Sequence, residues 1–294
     1  MSPRWNSLVR LRVVPGSVCG TLERGWLRPQ VVASATQATG TWDPESGEAD
    51  GAPSGPSLDE QTQAIAAVLG ELARTAPLTG AGLYVELADA FLHLDVVEGD
   101  FAASSDRQLQ AVASACVLEL LGDAASQHEV RWQLQSGSRH LLIAAVSKAQ
   151  IQALIDLATR HRLTLRRVQP DFCTQWNRHA QALKPGSAVF AVASGREAVV
   201  AQVANGAIAA ISSGPWLDRP DARLHNERAE RLMCGFGLAP TASAGLLDTR
   251  VDRLLATAGL DIHKQSAYVL VAPQLPGKAV ASRWTIFDRE AQTP

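Results

Sequence analysis

The chain has 294 residues, of which 27 are Lys or Arg and 29 are Asp or Glu, so its formal net charge is −2. This balance gives no field that would hold a phosphate backbone, which argues against nucleic acid as a partner. The composition, 46% hydrophobic and 5% aromatic, is that of a globular protein. The length exceeds the usual size of one domain and predicts two lobes or an internally duplicated fold.

Cysteine spacing and hydropathy indicate the compartment. The four cysteines are too far apart for paired zinc or redox motifs; they are Cys19, Cys116, Cys173 and Cys234. Residues 1–12 lack the continuous apolar region of a secretory signal, and no apolar run is long enough to span a membrane. We therefore expect a cytoplasmic protein with reduced cysteines and without a membrane span.

Three strand-like runs open the chain, at residues 9–14, 18–22 and 31–34. Turn residues at Pro15-Gly16 and Arg24-Gly25 separate them, so they predict a β-meander. Residues 36–57 are mostly Gly, Pro, Ser, Thr and acidic residues with little to bury. They predict a flexible, low-complexity loop outside the fold.

Helices and strands alternate through the rest of the first half. Capping boxes at Ser57/Glu60 and Ser147/Gln150, together with a start at Ser105, predict three helices. The apolar stripe of the second helix is Leu109, Val112, Cys116 and Leu120, and Gly122 ends it; the stripe of the third is Ile151, Leu154, Ile155 and Ala158. Strands are expected at 83–87, 91–97, 130–134, 140–146 and 163–168.

The opening pattern returns after Pro185-Gly186. Strands are predicted at 188–193, 198–203 and 207–211, and Asn205-Gly206 is a strong signal for a type I′ hairpin turn. Helices near 222–235 and 250–258 follow, and strands at 268–272 and 284–287 close the sheet. Each half therefore begins with a three-stranded meander and continues with a helix and an apolar strand.

This repeat predicts the fold class. Two β-β-β-α-β-α units facing each other describe an α/β, duplicated ribonuclease H-like (actin-like ATPase) fold, in which each lobe has a mixed sheet and flanking helices. We expect the first lobe at residues 1–180 and the second at 181–294. The alternative is two unrelated α+β lobes.

The arrangement resembles the actin-like scaffold proteins of type IV pilus and type II secretion machines, the PilM family and the cytoplasmic domain of the GspL family. The resemblance rests on the opening meander, on the Leu83–Leu92 segment, and on residues 151–177, where Pro170-Asp171-Phe172 leads toward the second lobe. It implies a cytoplasmic body, at or near the inner membrane, that binds a segment of an inner-membrane assembly protein. It also leaves room for a homo-oligomer.

The chain departs from the nucleotide-binding members of this group. Their first meander turn resembles an Asp-x-Gly phosphate loop, whereas this chain has Gly16 and Ser17 without a carboxylate. The second turn, Ser194-Gly195-Arg196, also lacks an Asp, and Gly277-Lys278 is weak evidence for adenosine binding. Magnesium-bound phosphates need carboxylates, so we expect no nucleotide, no metal and no cofactor.

Other functional motifs are incomplete. Gly277-Lys278 lacks the rest of a Walker A run, residues 241–245 lack the first glycine of a nucleophile elbow, and His128-Glu129 lacks a second histidine. Basic residues cluster at Arg160, Arg162, Arg166 and Arg167, which favours a solvated helix end over an acidic-peptide or lipid site. Trp176 and Trp216 flank the second meander and favour core or hinge packing over a peptide anchor.

The sequence thus favours a non-enzymatic actin-like scaffold that binds a protein segment, with no catalytic residue to name. Two alternatives stay open. One is an ATP-binding actin-like switch or enzyme with a divergent phosphate site. The other is a small-molecule or regulatory module on an unrelated α/β fold.

Overall fold

The computed structural model describes residues 7–25, 29–39, 57–180, 187–194, 197–215, 266–271 and 287–288. In chain order the elements are β1 (Ser7–Val14), β2 (Ser17–Arg24), β3 (Gln30–Ala38), α1 (Leu58–Thr75), β4 (Gly82–Leu87), β5 (His93–Glu98), α2 (Asp106–Leu121), β6 (His128–Leu134), β7 (His140–Ser147), α3 (Lys148–Arg160), β8 (Thr164–Pro170), α4 (Asp171–His179), β9 (Ser187–Ser194), β10 (Glu197–Ala204), β11 (Ala207–Pro215), β12 (Ser266–Val271) and β13 (Phe287–Asp288). Two short 3₁₀ turns lie at Asp89–Phe91 and Gly122–Gln127.

The first lobe is built on a six-stranded mixed sheet with the order β13-β8-β4-β1-β2-β3. β1, β2 and β3 form the predicted antiparallel meander, and β4 and β8 join it in parallel. β3 continues to Ala38, so residues 36–38 are strand and not loop, because their backbone pairs with β2 as far as Ser17. Residues 40–56 of the predicted loop lie outside the described residues.

Helices α1 and α3 cover one face of this sheet. The predicted capping box is present, since the Ser57 hydroxyl accepts from the Glu60 N–H and the Glu60 carboxylate accepts from the Ser57 N–H. Gly20 of β2 lets α1 approach closely, because a Cβ atom there would lie 2.5 Å from Val68 Cγ1. The core between these layers includes Val9 and Leu11 of β1.

The capping box predicted for α3 is wrong. Ser147 is the N-cap residue but makes no side-chain cap hydrogen bond. Gln150 is buried instead, and its amide Nε2 donates to Gln61 Oε1 of α1 at 3.1 Å. Contact between two helices therefore outweighs the local cap.

The chain between β4 and β8 forms a separate three-stranded sheet with the order β5-β7-β6. Helix α2 packs on this inserted sheet. The stripe predicted for α2 is partly wrong: Leu109, Ala113 and Val117 are buried, whereas Leu120 is 55% exposed. The predicted stripe contained only larger apolar residues and omitted Ala113, the small residue that permits close contact between the helix and the sheet. Gly122 ends the helix as predicted, with a φ of +56°.

Among the described residues, one helical stretch is long and apolar enough to cross a membrane by length and composition. It comprises α2 and the 3₁₀ turn after it, Asp106–Gln127, with a mean hydropathy of 1.3 in its most apolar window. This is weak evidence for a span, because the helix also packs on the inserted sheet through its buried face.

The second lobe repeats the topology of the first. Its four strands have the order β11-β10-β9-β12, with an antiparallel meander and a parallel fourth strand. The β3-β2-β1-β4 part of the first sheet has the same order and the same directions. Asn205 and Gly206 both have positive φ, as the predicted type I′ turn requires. The duplication is therefore confirmed for the described strands.

The end of the chain returns to the first lobe. The short strand β13 pairs antiparallel with β8 of the first sheet, whereas the strand predicted at 284–287 was expected to close the sheet of the second lobe. The helices expected near 222–235 and 250–258 lie outside the described residues.

Candidate functional site

The two faces of β1 have opposite chemistry. Val9, Leu11 and Val13 point into the core beneath α1 and α3, while Arg10 and Arg12 alternate with them on the opposite face. Successive side chains of a strand point to opposite faces, so this alternation places two guanidinium groups on the face of β1 that is turned away from α1 and α3. Both are nearly inaccessible, with 7% and 3% exposure.

Arg12 forms a buried ion pair at the junction of the lobes. Its Nη2 lies 2.6 Å from Oδ2 of Asp171, which is fully buried. Asp171 is the first residue of α4, so the positive end of the helix dipole also stabilises the carboxylate. Gln175, one turn along α4, donates to Asp171 Oδ1 at 3.3 Å. Both carboxylate oxygens of Asp171 are thus held by protein donors.

Glu86 is the second buried carboxylate at this edge of the sheet. It is the register partner of Arg12 in β1 and of Gln169 in β8. Gln169 Nε2 donates to Glu86 Oε1 at 3.3 Å and also reaches Thr174 Oγ1. Burial, followed by repulsion from Asp171, raises the pKa of Glu86 to about 7, although Arg10 and Arg12 lower it.

Arg10 belongs to a neighbouring group on the same face. Its Nε lies 3.2 Å from Glu23 Oε1, and its guanidinium lies 5.4 Å from the ring centre of Tyr84. Arg167 of β8 stands 5.3 Å from the same ring. The ring of Tyr84 therefore makes cation–π contacts with the guanidinium groups of both Arg10 and Arg167.

An apolar core closes the space between the lobes. Phe172 and Trp176 of α4 make edge-to-face contacts with Phe190 of β9, with ring centres 5.6 and 5.4 Å apart. The same cluster contains Leu142 of β7 and Ile208 of β11. The helix that connects the lobes is therefore packed simultaneously against the inserted sheet and the second lobe.

The first candidate phosphate turn has a structural role. Gly16 adopts a φ of +89°, which requires glycine, and its carbonyl accepts from the Thr39 N–H at 3.0 Å. Ser17 begins β2. In the second turn Ser194 ends β9, whereas Gly195 and Arg196 lie outside the described residues, as do Gly277, Lys278 and residues 241–245.

The arginines of the predicted basic patch do different things. Arg162 has a φ of +56° in the turn after α3, and Arg167 faces Tyr84. Arg166 lies at the irregularity where β8 passes β4, with its Cγ 3.2 Å from where a Gly82 Cβ would lie. The patch is thus divided between a turn and two faces of a strand.

The tryptophan and the histidine that the sequence singled out have structural roles where the structure describes them. Trp176 is core, as predicted, with 5% exposure, and Trp216 lies outside the described residues. His128 Nδ1 lies 2.9 Å from the Ala124 carbonyl, and Glu129 pairs with Arg131. Within the described ranges no group of three His, Cys, Asp or Glu side chains could hold a metal ion.

Sequence reasoning missed the two buried carboxylates. The hairpin turns lack carboxylates, as their sequences show, yet Glu86 and Asp171 lie at the junction and are held by donors. A signal was available: Glu86 near the end of one predicted parallel strand and Asp171 just after another must share one sheet edge. The helix α4 was also not predicted, although Phe172, Cys173 and Trp176 lie at helical spacing on one buried face of its nine residues.

Known proteins agree with the duplicated topology. No family model and no curated protein matches the sequence. The solved PilM-PilN type IV pilus biogenesis complex is similar in structure, with a TM-score of 0.52 and 13% identity, over 90% of this chain and 81% of that chain. The fold is actin-like.

Two other solved structures have lower TM-scores. The cytoplasmic domain of EpsL, an inner-membrane component of the Vibrio cholerae type II secretion system, has a TM-score of 0.43 and 15% identity, over 76% of this chain and 74% of that chain. A Bacteroides thetaiotaomicron protein of unknown function with an actin-like ATPase fold has a TM-score of 0.47 and 7% identity, over 90% and 91%. The actin-like fold rules out the unrelated α/β fold of the second alternative.

Proposed function

We propose that this chain is a nucleotide-independent actin-like scaffold in a pilus or secretion-type assembly. It acts in the cytoplasm, at or near the inner membrane, and binds a segment of an inner-membrane assembly protein. It is not an enzyme in this proposal. The likeness to a chain of the PilM-PilN type IV pilus biogenesis complex motivates the partner class.

The buried Arg12–Asp171 pair is the observation that carries this proposal. A hydrated magnesium ion on a nucleotide needs free carboxylate oxygens. In Asp171 one oxygen accepts from Arg12 at 2.6 Å and the other from Gln175 at 3.3 Å. Freeing the carboxylate would break the buried ion pair with Arg12, which is costly.

The apolar junction supports the same conclusion. Phe172, Trp176 and Phe190 form one core across the junction, so a switch that moved its lobes relative to each other would have to rearrange this core. Close-packed interiors resist gradual deformation, so separating the lobes would expose this cluster. A rigid body suits a protein that presents a fixed surface to a partner.

One observation favours the ATP-binding alternative. Glu86 and Asp171 place two carboxyl groups at the same edge of the sheet, close to the first meander turn. If Arg12 moved away, this pair could hold a hydrated cation. The alternative therefore predicts that nucleotide binding depends on Asp171.

Calorimetric titration with Mg-ATP separates the two functions. We expect no heat of binding for the native chain at millimolar nucleotide. Micromolar binding that is lost in Asp171→Asn, with the variant shown to be folded by its circular dichroism, and kept in Asp106→Asn, an exposed control, would establish the switch and overturn the scaffold.

The partner is tested separately by affinity capture from native membranes. The immobilised chain should retain an inner-membrane protein of an assembly machine, and competition with a synthetic cytoplasmic segment of that protein should release it. A heat-denatured chain on the same matrix is the control. Failure to retain any membrane protein would count against the proposal.

A further inference from the structure

β3 is an unusually unprotected edge strand. It is nine residues long, and its sequence, QVVASATQA, contains no charged residue and no proline. Val31 and Val32 are 58% and 42% exposed, whereas Ala33 and Ala35 point into the core. In the part of the chain that the structure describes, no strand pairs with the outer edge of β3. Natural edge strands are usually short or carry charge or proline, so an edge without these devices points to pairing.

Helix α1 runs beside this edge and forms a groove with it. The groove is lined by Ser34, Thr36 and Gln37 of β3 and by Ala67, Gly70 and Glu71 of α1. Ala67, Gly70, Glu71 and Arg74 repeat at helical spacing, so they form one stripe facing away from the core. A Cβ at Gly70 would meet no atom within 4 Å, which leaves room for another helix.

We propose that β3 pairs antiparallel with β3 of a second copy of this chain. An interface with twofold symmetry brings the same surface together twice, so the surface must be complementary to itself. An uncharged strand meets its copy without like-charge repulsion. The rim of the groove carries one acid, Glu71, and one base, Arg74, which are exposed and paired within the helix.

One twofold axis relates both the two β3 strands and the two α1 helices of the interface. Antiparallel pairing of two equivalent edges continues the sheet from one copy into the other. The axis is then perpendicular to the sheet, so the two α1 helices lie antiparallel on the same side. Ala67 and Gly70 permit their approach, and Glu71 of each copy meets Arg74 of the other.

The first test measures mass by sedimentation of the full chain and of Ser34→Lys. Ser34 is exposed at the centre of β3, so a strand pair centred there would set the two lysines of the variant opposite each other. We expect a dimer for the native chain and a dissociation constant raised by about tenfold or more for the variant, since like charges directly opposite destabilise a strand pair. Ser114→Lys, on the exposed side of α2, is the matched control and should stay dimeric.

The second test exchanges the charges of the rim. Glu71→Arg and Arg74→Glu each place like charges across the axis and should weaken the dimer, whereas the double exchange should restore it. Thermal unfolding of each variant is measured at a dilution where all are monomeric. Equal unfolding midpoints there would show that the exchange changes association and not the stability of the monomer. A native chain that stays monomeric at high micromolar concentration, or single exchanges that leave the mass unchanged, would overturn the proposal. So would β3 amides that gain protection from hydrogen exchange only when a membrane-protein segment is added.

Discussion

The Gln135 side chain acts as a strand neighbour for Ile208: its Nε2 donates to the Ile208 carbonyl and its Oε1 accepts from the Ile208 N–H, both at 2.8 Å. Gln135 follows β6 of the inserted sheet, and Ile208 lies in β11 of the second lobe. Both residues are buried. One amide group thus fixes the inserted sheet to the second lobe, beside the core that Phe172 and Trp176 form.

We predict that Gln135→Leu destabilises the whole fold. The substitution keeps the side chain's approximate volume but leaves the buried N–H and carbonyl of Ile208 without partners, which costs about 2–4 kcal/mol. Urea unfolding measures the change. Gln152→Leu, on the exposed side of α3, should cost less than about 0.5 kcal/mol. Equal effects of the two substitutions would show that the amide does not join the lobes.

Removing one member of the Arg12–Asp171 pair should be more harmful than removing both. Arg12→Met or Asp171→Leu alone removes one partner of a buried ion pair, at a cost of about 3–5 kcal/mol. The double substitution should be much closer to the native chain, because apolar groups of similar volume can replace a buried pair. A double-mutant cycle by urea unfolding gives the coupling, and additive costs would contradict it.

Glu86 should make the protein less stable as the pH rises. Its pKa is raised from 4.5 to about 7, so the folded state binds the proton more tightly than the unfolded state. Stability from this group is fully present below about pH 4.5 and is lost as the pH rises through about 7, a change on the order of 3 kcal/mol. Burial raises this pKa most; among the charged groups, Asp171 raises it and Arg10, Arg12 and Arg178 lower it.

The measurement for Glu86 is the urea midpoint as a function of pH. Glu86→Gln should be less sensitive to pH than the native chain in this window and more stable than it at about pH 8, since a neutral amide loses no proton. Glu71→Gln, at an exposed position of α1, should keep the native pH profile. A native profile that rises across the same window would contradict the predicted ionisation of Glu86.

Two glycines should respond to alanine in opposite directions. Gly20→Ala places a Cβ 2.5 Å from Val68 Cγ1, and such overpacking costs about 1–3 kcal/mol. Gly70→Ala meets no atom within 4 Å in the interior of α1 and should stabilise the monomer by about 0.5–1 kcal/mol. Thermal unfolding at low protein concentration compares the two variants. A tolerated Gly20→Ala would mean that α1 can shift away from β2.

Local pattern determined much of this protein. Alternating strand residues and the Asn205-Gly206 turn predicted both meanders, and the Ser57/Glu60 cap predicted the start of α1, because these signals depend on neighbours within a few positions. The repeat of one pattern in both halves then gave the duplicated fold. The boundary at residue 180 stays a prediction, as does the absence of catalysis.

Only the tertiary structure decided the candidate site. Arg12 and Asp171 are 159 positions apart, and Gln135 and Ile208 are 73 apart, so no local rule pairs them. Burial gives these contacts their effect: it raises the pKa of Glu86, and it makes the arginine and the carboxylate costly to separate. Sequence fixes which polar residues a strand carries, while the covering elements decide whether those residues are solvated, paired or available to a ligand.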